Sequence, residues 1–413
     1  MDAKEIPVVN LSTNIAGLEL KNPFIVASSD NTRDIRQLRQ AEECGASAFI
    51  VKALLPSSSI ELKSTLRVFV DTKGKNVYGT AGANRLSYDQ GAELIRTAKK
   101  ESRIAIGANI PLLIHEDIQI IIDGIKKVID AGADFIELNY KPLITARPAI
   151  SAMAEDLTAD IIGDDKYYKE YINDLMTFIV SSTRSVKQSV NIPIFAKLST
   201  DGVDEVALAK AAIKGGADVI DAINSLGGAY NVDIYNNGRP KIPNALSGYF
   251  QLSGSLLKPY SQAIVARICK AVNIPVIGTG GLTSWRDVVE MIMFGARAVS
   301  FCALLMIRGF EAIADLEKGL MGYMKEQGYK SIDDFRGSAL QFMALSISDC
   351  EIIPNVAKIN PEKCTSCGIC LKPAHCLAII LENGKAAVNE LECIGCGTCF
   401  LLCPAGAVSI IEL

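Results

Sequence analysis

The chain has 413 residues, and 49% of them are hydrophobic, enough to bury one barrel-sized domain and a smaller second one. Its formal net charge of −4 provides no positive field for a nucleic-acid backbone. The first residues, MDAKEIP, lack the apolar run of a signal peptide, and the longest apolar run, residues 299–307, is too short to span a membrane. We therefore expect a cytoplasmic protein that binds neither nucleic acid nor membrane.

One phrase recurs along the chain, in which Gly-Ala closes a helical stretch and a short apolar strand follows. Glycine suits the left-handed residue that ends a helix, and a β-branched run suits a strand buried on both faces. Four strands follow such a phrase, two are introduced by Asn-Ile-Pro, and two more apolar runs make eight. Eight strands alternating with helical segments predict an α/β fold, a closed (β/α)8 TIM barrel. A doubly wound open sheet uses similar units, but no GxGxxG follows the first strand. The predicted strands lie in residues 22–29, 44–53, 103–110, 131–140, 191–199, 215–224, 273–281 and 294–303.

Polar residues end most of these predicted strands. Barrels carry their chemistry at the carboxyl ends of the strands, so these residues are expected to meet at one rim. Taken singly, each of them is equally well explained as a solvated strand end. Two long segments, residues 141–166 and 226–260, follow strands four and six and are expected to be lids or binding loops. The rim residues are Ser28, Lys52, Asn109, Asn139, Lys197, Asn224, Ser225, Thr279, Gly280, Gly281 and Cys302.

The seventh strand leads into a glycine-rich turn, Gly-Thr-Gly-Gly-Leu-Thr-Ser, at residues 278–284. Glycines let backbone N–H groups approach an anion, and a helix start adds partial positive charge, so this turn predicts a phosphate site. Lys197 is placed to provide a countercharge at the N1/O2 side of a reduced flavin ring, and Lys52 to contact the ring edge or the ribityl chain. On these grounds FMN and a sugar phosphate fit about equally.

After the barrel, residues 310–349 have the apolar spacing of helices, with Leu316, Leu320, Met321 and Met324 on one face. We expect this segment to close the barrel and lead into the next domain. The predicted domains are a barrel over residues 1–310, a helical connector over 311–353 and a small domain over 354–413.

Eight of the twelve cysteines fall within residues 364–403. A long chain without a secretion signal favours metal ligation over disulfides. The run CIGCGTCFLLCP matches the bacterial ferredoxin spacing, and CTSCGICLKPAHC lengthens only its last interval. Zinc is the alternative for paired CxxC motifs. The two runs predict two [4Fe-4S] clusters, and in this pattern the fourth cysteine of each run ligates the other cluster. One cluster is then expected on Cys364, Cys367, Cys370 and Cys403, and the other on Cys393, Cys396, Cys399 and Cys376.

Two clusters form a short electron path, so the fused barrel is expected to exchange single electrons with an outside partner. A flavin does this and also moves hydride to an organic substrate, which favours FMN over a sugar phosphate in the turn at residues 278–284. The chain shows no nicotinamide-binding fingerprint of its own. The expected electron partner is therefore an NAD(P)H-oxidising flavoprotein subunit or a ferredoxin.

Several phrases of the sequence resemble a known family. They include NIAGLELKNPFIVAS, FAKLSTD, SGSLLKP, GTGGL and the cluster motifs. The barrel resembles the dihydroorotate dehydrogenase group. With its ferredoxin module the chain looks most similar to the catalytic subunit of bacterial NAD-dependent dihydropyrimidine dehydrogenases.

This resemblance implies particular site residues. Asn84, Asn139 and Asn224, with Ser225, are expected to hold the amide groups of a pyrimidine substrate, since carboxamides match such donor and acceptor pairs. The FMN contacts that the resemblance implies are Ala27, Ser28, Lys52, Asn84, Asn139, Lys197, Gly254, Thr279, Gly280, Gly281 and Cys302.

One departure from the family concerns the proton donor. The loop after strand four normally reads NLSCP, and its cysteine or serine is the family's general acid or base. Here that line is Asn-Tyr-Lys-Pro-Leu at residues 139–143, without either residue type. Lys141 and Tyr140 become the candidate catalytic residues, since lysine and tyrosine transfer protons when a site tunes their pKa values. The next candidates are Thr145, Arg147 and Tyr230.

Three functional hypotheses follow. The first is an oligomeric FMN and iron–sulfur oxidoreductase that acts on the C=C or CH–CH bond of a pyrimidine-like cyclic amide or another conjugated small molecule. The second is a noncatalytic electron-transfer subunit that has lost its acid. The third, a tRNA dihydrouridine synthase, is disfavoured by the acidic balance and by the lack of a basic extension.

Overall fold

Eight parallel strands close a barrel, and this confirms the predicted fold class. The computed structural model describes residues 9–56, 68–71, 76–79, 86–112, 116–140, 165–199, 202–241, 249–344 and 350–413. The first unit of the chain ends at Met343, and the second comprises Ala344–Leu413. Within the described residues, no helix has the length and apolar character needed to cross a membrane.

The barrel strands are short apolar runs that are almost wholly buried, as expected for strands covered on both faces. They pair in chain order, and the ring closes where the eighth strand pairs with the first. The strands are β1 Phe24–Val26, β2 Ala48–Val51, β3 Ala105–Pro111, β4 Phe135–Asn139, β5 Ile194–Lys197, β6 Val219–Ala222, β7 Val276–Thr279 and β8 Ala298–Phe301.

One helix or more follows each barrel strand, and local capping sets several of the helix ends. The Asp204 side chain accepts from the Ala207 N–H at one helix start, and Gly216, with φ 105°, ends that helix in the left-handed region. Ser284 and Asp287 form a capping box at another. The helices are α1 Ile35–Glu43, α2 Tyr88–Glu101, α3 Ile118–Asp130, α4 Asp165–Ser189, α5 Glu205–Gly215, α6 Lys258–Ala271, α7 Trp285–Met293, α8 Ala303–Arg308 and α9 Ala312–Gln327.

The amino-terminal end of the barrel is filled by apolar side chains. A hairpin of Thr13–Ile15 and Leu18–Leu20 packs its Ile15 and Leu20 with side chains of the barrel strands. Phe135 and Phe195 stack at 4.2 Å between ring centroids. Gly107 makes room for them, because a Cβ there would lie 2.2 Å from the Phe135 ring. This end is therefore a packed core.

The carboxyl-terminal end carries an antiparallel sheet, and two of its four strands lie in the predicted loop at residues 226–260. Its order is Leu226–Ala229, Tyr249–Gly254, Asn76–Gly79 and Val68–Asp71. The strands come from the segments that follow β2 and β6, so they lie on the side where those two barrel strands end. Much of the segment at residues 226–260 is therefore strand, and of the other predicted loop, residues 141–164 lie outside the described part of the chain.

The segment after the barrel is helical only in part, which corrects the prediction of helix over residues 310–349. Helix α9 ends at Gln327, where Gly328 takes φ 78°, and short 3-10 turns follow at Ile332–Asp334 and Leu340–Phe342. Leu316, Leu320 and Met324 are buried in the barrel unit's core, as their spacing predicted. Met321 is only half-buried.

The second unit consists of two strand pairs and the two cysteine runs. Asn355–Ile359 pairs with Val408–Glu412, and Ile379–Glu382 pairs with Lys385–Val388. Each run turns at a left-handed glycine, Gly368 or Gly397, which precedes the 3-10 turn Ile369–Leu371 in one run and α10, Thr398–Leu402, in the other. The two runs thus repeat one local structure.

Candidate functional site

A layer of polar side chains lies above the apolar layer inside the barrel. Side chains two residues apart on a strand share a face. The residue two positions after an inward-facing apolar residue therefore also faces the barrel interior, one layer closer to the carboxyl-terminal end. On β4, Glu137 follows Phe135, and on β5, Lys197 follows Phe195. Six of the eight strands contribute to the polar layer: Asn109, Glu137, Lys197, Asp221, Thr279 and Ser300.

Lys197 is at the centre of this layer and lies between two carboxylates. Its Nζ is 2.5 Å from Asp221 Oδ2 and 3.4 Å from Glu137 Oε1. The lysine side chain is 6% exposed and both carboxylates are fully buried. Buried charges of this kind are stable only when they are paired.

The remaining carboxylate oxygens have partners as well. Asn109 Nδ2 donates to Glu137 Oε2, and Thr279 Oγ1 donates to Asp221 Oδ1. The Thr279 and Ser300 hydroxyls are 2.6 Å apart. Both carboxylates are therefore held from two sides.

The electrostatics of the two carboxylates and the lysine are coupled. Burial raises the pKa of Glu137 to about 8, and Asp221 adds to this effect while Lys197 opposes it. Burial lowers the pKa of Lys197, but the two carboxylates outweigh burial and keep that pKa above its usual value. Near neutral pH the group therefore holds a charged lysine, and Glu137 retains its proton in most molecules.

Three carboxamides form a chain beside this layer. Asn224 Nδ2 donates to Asn139 Oδ1 at 3.2 Å, and Asn139 Nδ2 donates to Asn109 Oδ1 at 3.4 Å. Ser225 donates to Asn224 Oδ1 from both its N–H and its hydroxyl. The structure thus brings together three of the four residues assigned to substrate, and Asn84 lies outside the described residues.

The glycine-rich turn after β7 has a backbone that only glycine accommodates without strain. Gly280 and Gly281 take φ values of 116° and 79°. A Cβ at Gly281 would lie 2.2 Å from the Lys258 backbone nitrogen. Ser261 Oγ donates to the Gly280 carbonyl at 2.7 Å and fixes the turn on α6. A close backbone approach of this kind fits a phosphate group.

The helix start after this turn does not offer all its N–H groups to an anion. Asp287 Oδ2 accepts from the Thr283 and Ser284 N–H groups, both at 2.8 Å. Lys258 pairs with the same Asp287 carboxylate at 2.5 Å. The glycines are therefore the part of this turn that fits a phosphate group, whereas the capping box occupies the first turn of α7.

The first, second and eighth strands complete the rim. Lys52 Nζ is 3.4 Å from Asp30 Oδ2, and Asn31 Nδ2 donates to the Cys302 carbonyl at 3.2 Å. Burial raises the pKa of the Cys302 thiol, although Lys52 lowers it. Ala27 and Ser28 directly follow β1, where the Ala27 N–H bonds the Phe301 carbonyl on β8. Gly254, with φ 105°, ends its strand just before α6.

Tyr140 does not occupy a position suited to proton transfer at the rim, which corrects its assignment as a catalytic candidate. Its side chain is fully buried, and its hydroxyl lies 2.6 Å from Thr183 Oγ1 on α4. Burial also raises the pKa of the phenol. Lys141 lies outside the described residues and stays a prediction, as do Thr145 and Arg147. Tyr230 packs edge-on against Tyr78 in the antiparallel sheet, with ring centroids 4.6 Å apart.

Sequence reasoning missed Glu137, Asp221 and Ser300 as members of the site. Glu137 and Asp221 stand out in the sequence as acids inside strands that are otherwise apolar. Charged residues are rarely buried without a partner, so each of them already predicted a buried cation nearby. Ser300 gave no such signal, since a single serine in a strand is common.

In the second unit, thiols from the two cysteine runs lie near one another. One pocket is lined by Cys364, Cys367, Cys370 and Cys403. The Cys399 thiol is close enough to those of Cys376 and Cys393 to be influenced by their charge. Cys403 of the second run thus lies with the first triplet, and Cys376 of the first run lies near Cys393 and Cys399. The two ligand sets stay a prediction.

Hydrogen bonds to sulfur fit these thiols to a negatively charged cluster. The Ala357 and Ala407 N–H groups donate to Cys393 and Cys403 at 3.4 and 3.3 Å. The Thr398 hydroxyl and His375 lower the pKa of Cys396 to about 7, so this thiol ionises readily. Thiolate ligands with N–H···S bonds are the donor set of iron–sulfur clusters.

The barrel and the thiol runs define a flavin-dependent iron–sulfur oxidoreductase. A family model described as dihydroorotate dehydrogenase matches residues 10–324, and one described as a 4Fe-4S binding domain matches residues 386–409. The chain therefore belongs to the dihydroorotate dehydrogenase family. FMN and [4Fe-4S] clusters are its cofactors, as predicted.

Similar proteins carry the name dihydroorotate dehydrogenase B (NAD(+)), catalytic subunit. The one from Thermococcus kodakarensis is 28% identical over 340 residues, which cover 81% of this chain and 99% of that protein. The one from Alkaliphilus metalliredigens is 30% identical over 332 residues, covering 80% and 99%. These relatives support the resemblance to dihydroorotate dehydrogenases, and they do not support the finer resemblance to dihydropyrimidine dehydrogenases.

The residues present fit FMN at the barrel mouth. The cradle of Gly280 and Gly281 would hold its phosphate, and Lys197 with the carboxamides would face its ring. When bound, FMN supplies hydride transfer coupled to one-electron exchange with the clusters. The chain's own residues would hold the cofactor in place and neutralise charge beside it.

Proposed function

We propose that the protein interconverts a single and a double carbon–carbon bond in the ring of a pyrimidine-like cyclic amide. The carboxamide chain of Asn224, Asn139 and Asn109 carries this proposal. A cyclic amide presents alternating N–H and C=O groups, and each carboxamide both donates and accepts. Asn139 and Asn224 are half-buried and Asn109 is buried, and amides that are already hydrogen-bonded to one another are pre-organised for such a ring.

The charges at the rim favour a substrate whose ring carries no carboxylate. Lys197 already faces two carboxylates, and Lys52 faces Asp30. Within the described residues, both rim lysines are thus paired, and a substrate carboxylate would have to compete for them. Uracil, thymine and their dihydro forms are the substrates this arrangement favours.

A second candidate substrate is dihydroorotate, which the names of the relatives favour. It carries the same cyclic amide edge together with a carboxylate. The two candidates differ in that one charge, so they separate cleanly by experiment.

The remaining roles follow from the chain's own chemistry. Electrons would come from, or go to, an NAD(P)H-oxidising flavoprotein subunit or a ferredoxin, through two clusters. Lys141 stays the proposed proton donor in place of the family's cysteine, since it directly follows Tyr140 after β4.

The test is an anaerobic one. The protein is reduced with dithionite, and uracil, thymine and orotate are added separately while the flavin absorbance is followed. Reoxidation by uracil or thymine is the expected result, and reoxidation by orotate alone would select the second candidate. A flavin that stays reduced with all three would reject the proposal and leave an electron-transfer subunit.

Matched variants tie the result to the carboxamides. Asn224→Ala is expected to raise the apparent KM about tenfold or more, because it leaves polar groups of the ring without partners. Asn14→Ala is the control, since Asn14 lies in the hairpin at the opposite end of the barrel. Equal KM values for the two variants would contradict the assignment.

A further inference from the structure

The one ammonium in the polar layer of the barrel, on Lys197, is in contact with a carboxylate. It lies between the carboxyl groups of Asp221 and Glu137, of which Asp221 carries the negative charge near neutral pH. All three groups are buried, so water screens their interaction weakly. The charge that Lys197 offers to a bound group is therefore reduced by its neighbours.

Asp221 is the closer of the two carboxylates, and it is also firmly held. Its Oδ2 is 2.5 Å from Lys197 Nζ, compared with 3.4 Å for Glu137 Oε1. Its other oxygen accepts from Thr279, whose hydroxyl is 2.6 Å from that of Ser300. Because hydroxyl groups on β7 and β8 fix it, Asp221 cannot turn away from Lys197 without losing a buried hydrogen bond.

We propose that Asp221 is a positioning residue that neutralises Lys197 and so lowers the reduction potential of the bound FMN. The inference rests on the proposed placement of Lys197 beside the N1/O2 side of the flavin ring. Reduction adds negative charge at that side, and an unpaired ammonium there would stabilise it. A carboxylate in contact with the ammonium cancels much of that stabilisation.

A lower potential makes the flavin a stronger electron donor. Reduction takes up two electrons together with either one proton, which leaves a negative ring, or two protons, which leave a neutral one. With Lys197 neutralised, the two-proton product is favoured near neutral pH. The barrel is then suited to reducing a C=C bond, which consumes the same two electrons and two protons.

The experiment compares the flavin potential of the holoenzyme in three proteins: wild type, Asp221→Asn and Asp218→Asn. The control aspartate lies just before the same strand and pairs with Lys187 at 2.6 Å. Asp221→Asn is expected to shift the ratio of reduced to oxidised flavin at least tenfold toward reduced, which is about 30 mV for a two-electron couple. Asp218→Asn is expected to leave it unchanged. A potential in Asp221→Asn equal to that of wild type would overturn the inference.

A second measurement covers the case in which Asp221→Asn fails to fold or to retain FMN. The pH dependence of the wild-type potential gives the number of protons taken up with two electrons. Two protons are expected near neutral pH, and one proton would overturn the inference. Neither measurement uses a substrate, so a flavin that no pyrimidine reoxidises rejects the proposed function and leaves this inference to be decided by the potentials.

Discussion

At the scale of single residues, the site arises from a change of side-chain type within each strand. The same inward face that carries Phe135 and Phe195 near the amino-terminal end carries Glu137 and Lys197 one layer higher. Strand alternation alone places these residues, so their layer was predictable from the sequence. The hydrogen-bond partners of these residues could not be predicted in the same way. Contacts between strands depend on the register of the barrel, which the alternation of side chains along one strand does not specify.

The raised pKa of Glu137 predicts a pH-dependent stability. The folded protein keeps this proton up to a pH of about 8, whereas an unfolded glutamate loses it near 4.5. The folded state therefore binds more protons between these values, and stability falls as pH rises through that window, by an amount on the order of 5 kcal/mol. Glu137→Gln should remove this slope and melt at a higher temperature than wild type at pH 9.

The matching control for that experiment is Glu93→Gln, since the Glu93 side chain is 71% exposed. Thermal unfolding between pH 6 and 9 is the measurement. If Glu137→Gln and wild type lose stability in parallel as pH rises, Glu137 does not hold a proton in the folded protein.

A single glycine tests the phosphate cradle. Gly281→Ala forces a left-handed backbone on alanine and drives its Cβ toward the Lys258 backbone, so we expect a loss of about 1–3 kcal/mol in stability and weaker FMN retention. The readouts are the melting temperature and the flavin content after gel filtration. Gly322→Ala in α9, where an added Cβ meets no other atom within 4 Å, should retain FMN fully. Full FMN retention by Gly281→Ala would contradict the cradle.

At the scale of elements, the barrel was predictable and the sheet over its mouth was not. The Gly-Ala phrases mark helix ends and strand starts locally, and β7 and β8 lie within the predicted ranges. The sheet instead pairs Gln251 with Gly79, residues far apart in the chain. Its strands are short, and one of them, Leu226–Ala229, is half glycine, so nothing local distinguishes that strand from a loop.

Two substitutions of Tyr230 distinguish a role in packing from a role in the reaction. Its ring packs against Tyr78 and lies 6.4 Å from that of Phe250, and such pairs contribute about 0.5–1.5 kcal/mol. Tyr230→Phe should therefore keep normal turnover, whereas Tyr230→Ala should speed hydrogen exchange in Tyr249–Gly254. A large loss of turnover in Tyr230→Phe would instead assign the hydroxyl to the reaction.

The crossed thiol sets make a prediction for the cluster unit. Cys403→Ser and Cys370→Ser should perturb the same cluster, because both residues line one pocket with Cys364. Cys376→Ser should perturb the other. Electron paramagnetic resonance of the reduced variants distinguishes the two clusters. A Cys376→Ser spectrum that matches that of Cys370→Ser would show that each run holds its own cluster.

At the scale of the whole molecule, the chain joins a barrel that holds FMN to a unit that holds clusters. The family and the cofactors could be predicted from motifs. The cysteine spacing is typical of iron–sulfur clusters, and glycines at the end of a late barrel strand are typical of a phosphate site. The substrate could not be read in the same way. The loop that carries the family's acid differs here, and Asn84 and Lys141 lie outside the described residues.

The central claim is that electrons pass between the clusters and a flavin at the barrel mouth, and then to the substrate. The most direct measurement is rapid anaerobic mixing of the fully reduced protein with the pyrimidine that reoxidises it, following flavin absorbance and cluster paramagnetic resonance together. The account predicts that the clusters lose their electrons along with the flavin. Clusters that stay reduced while the flavin is reoxidised would contradict it.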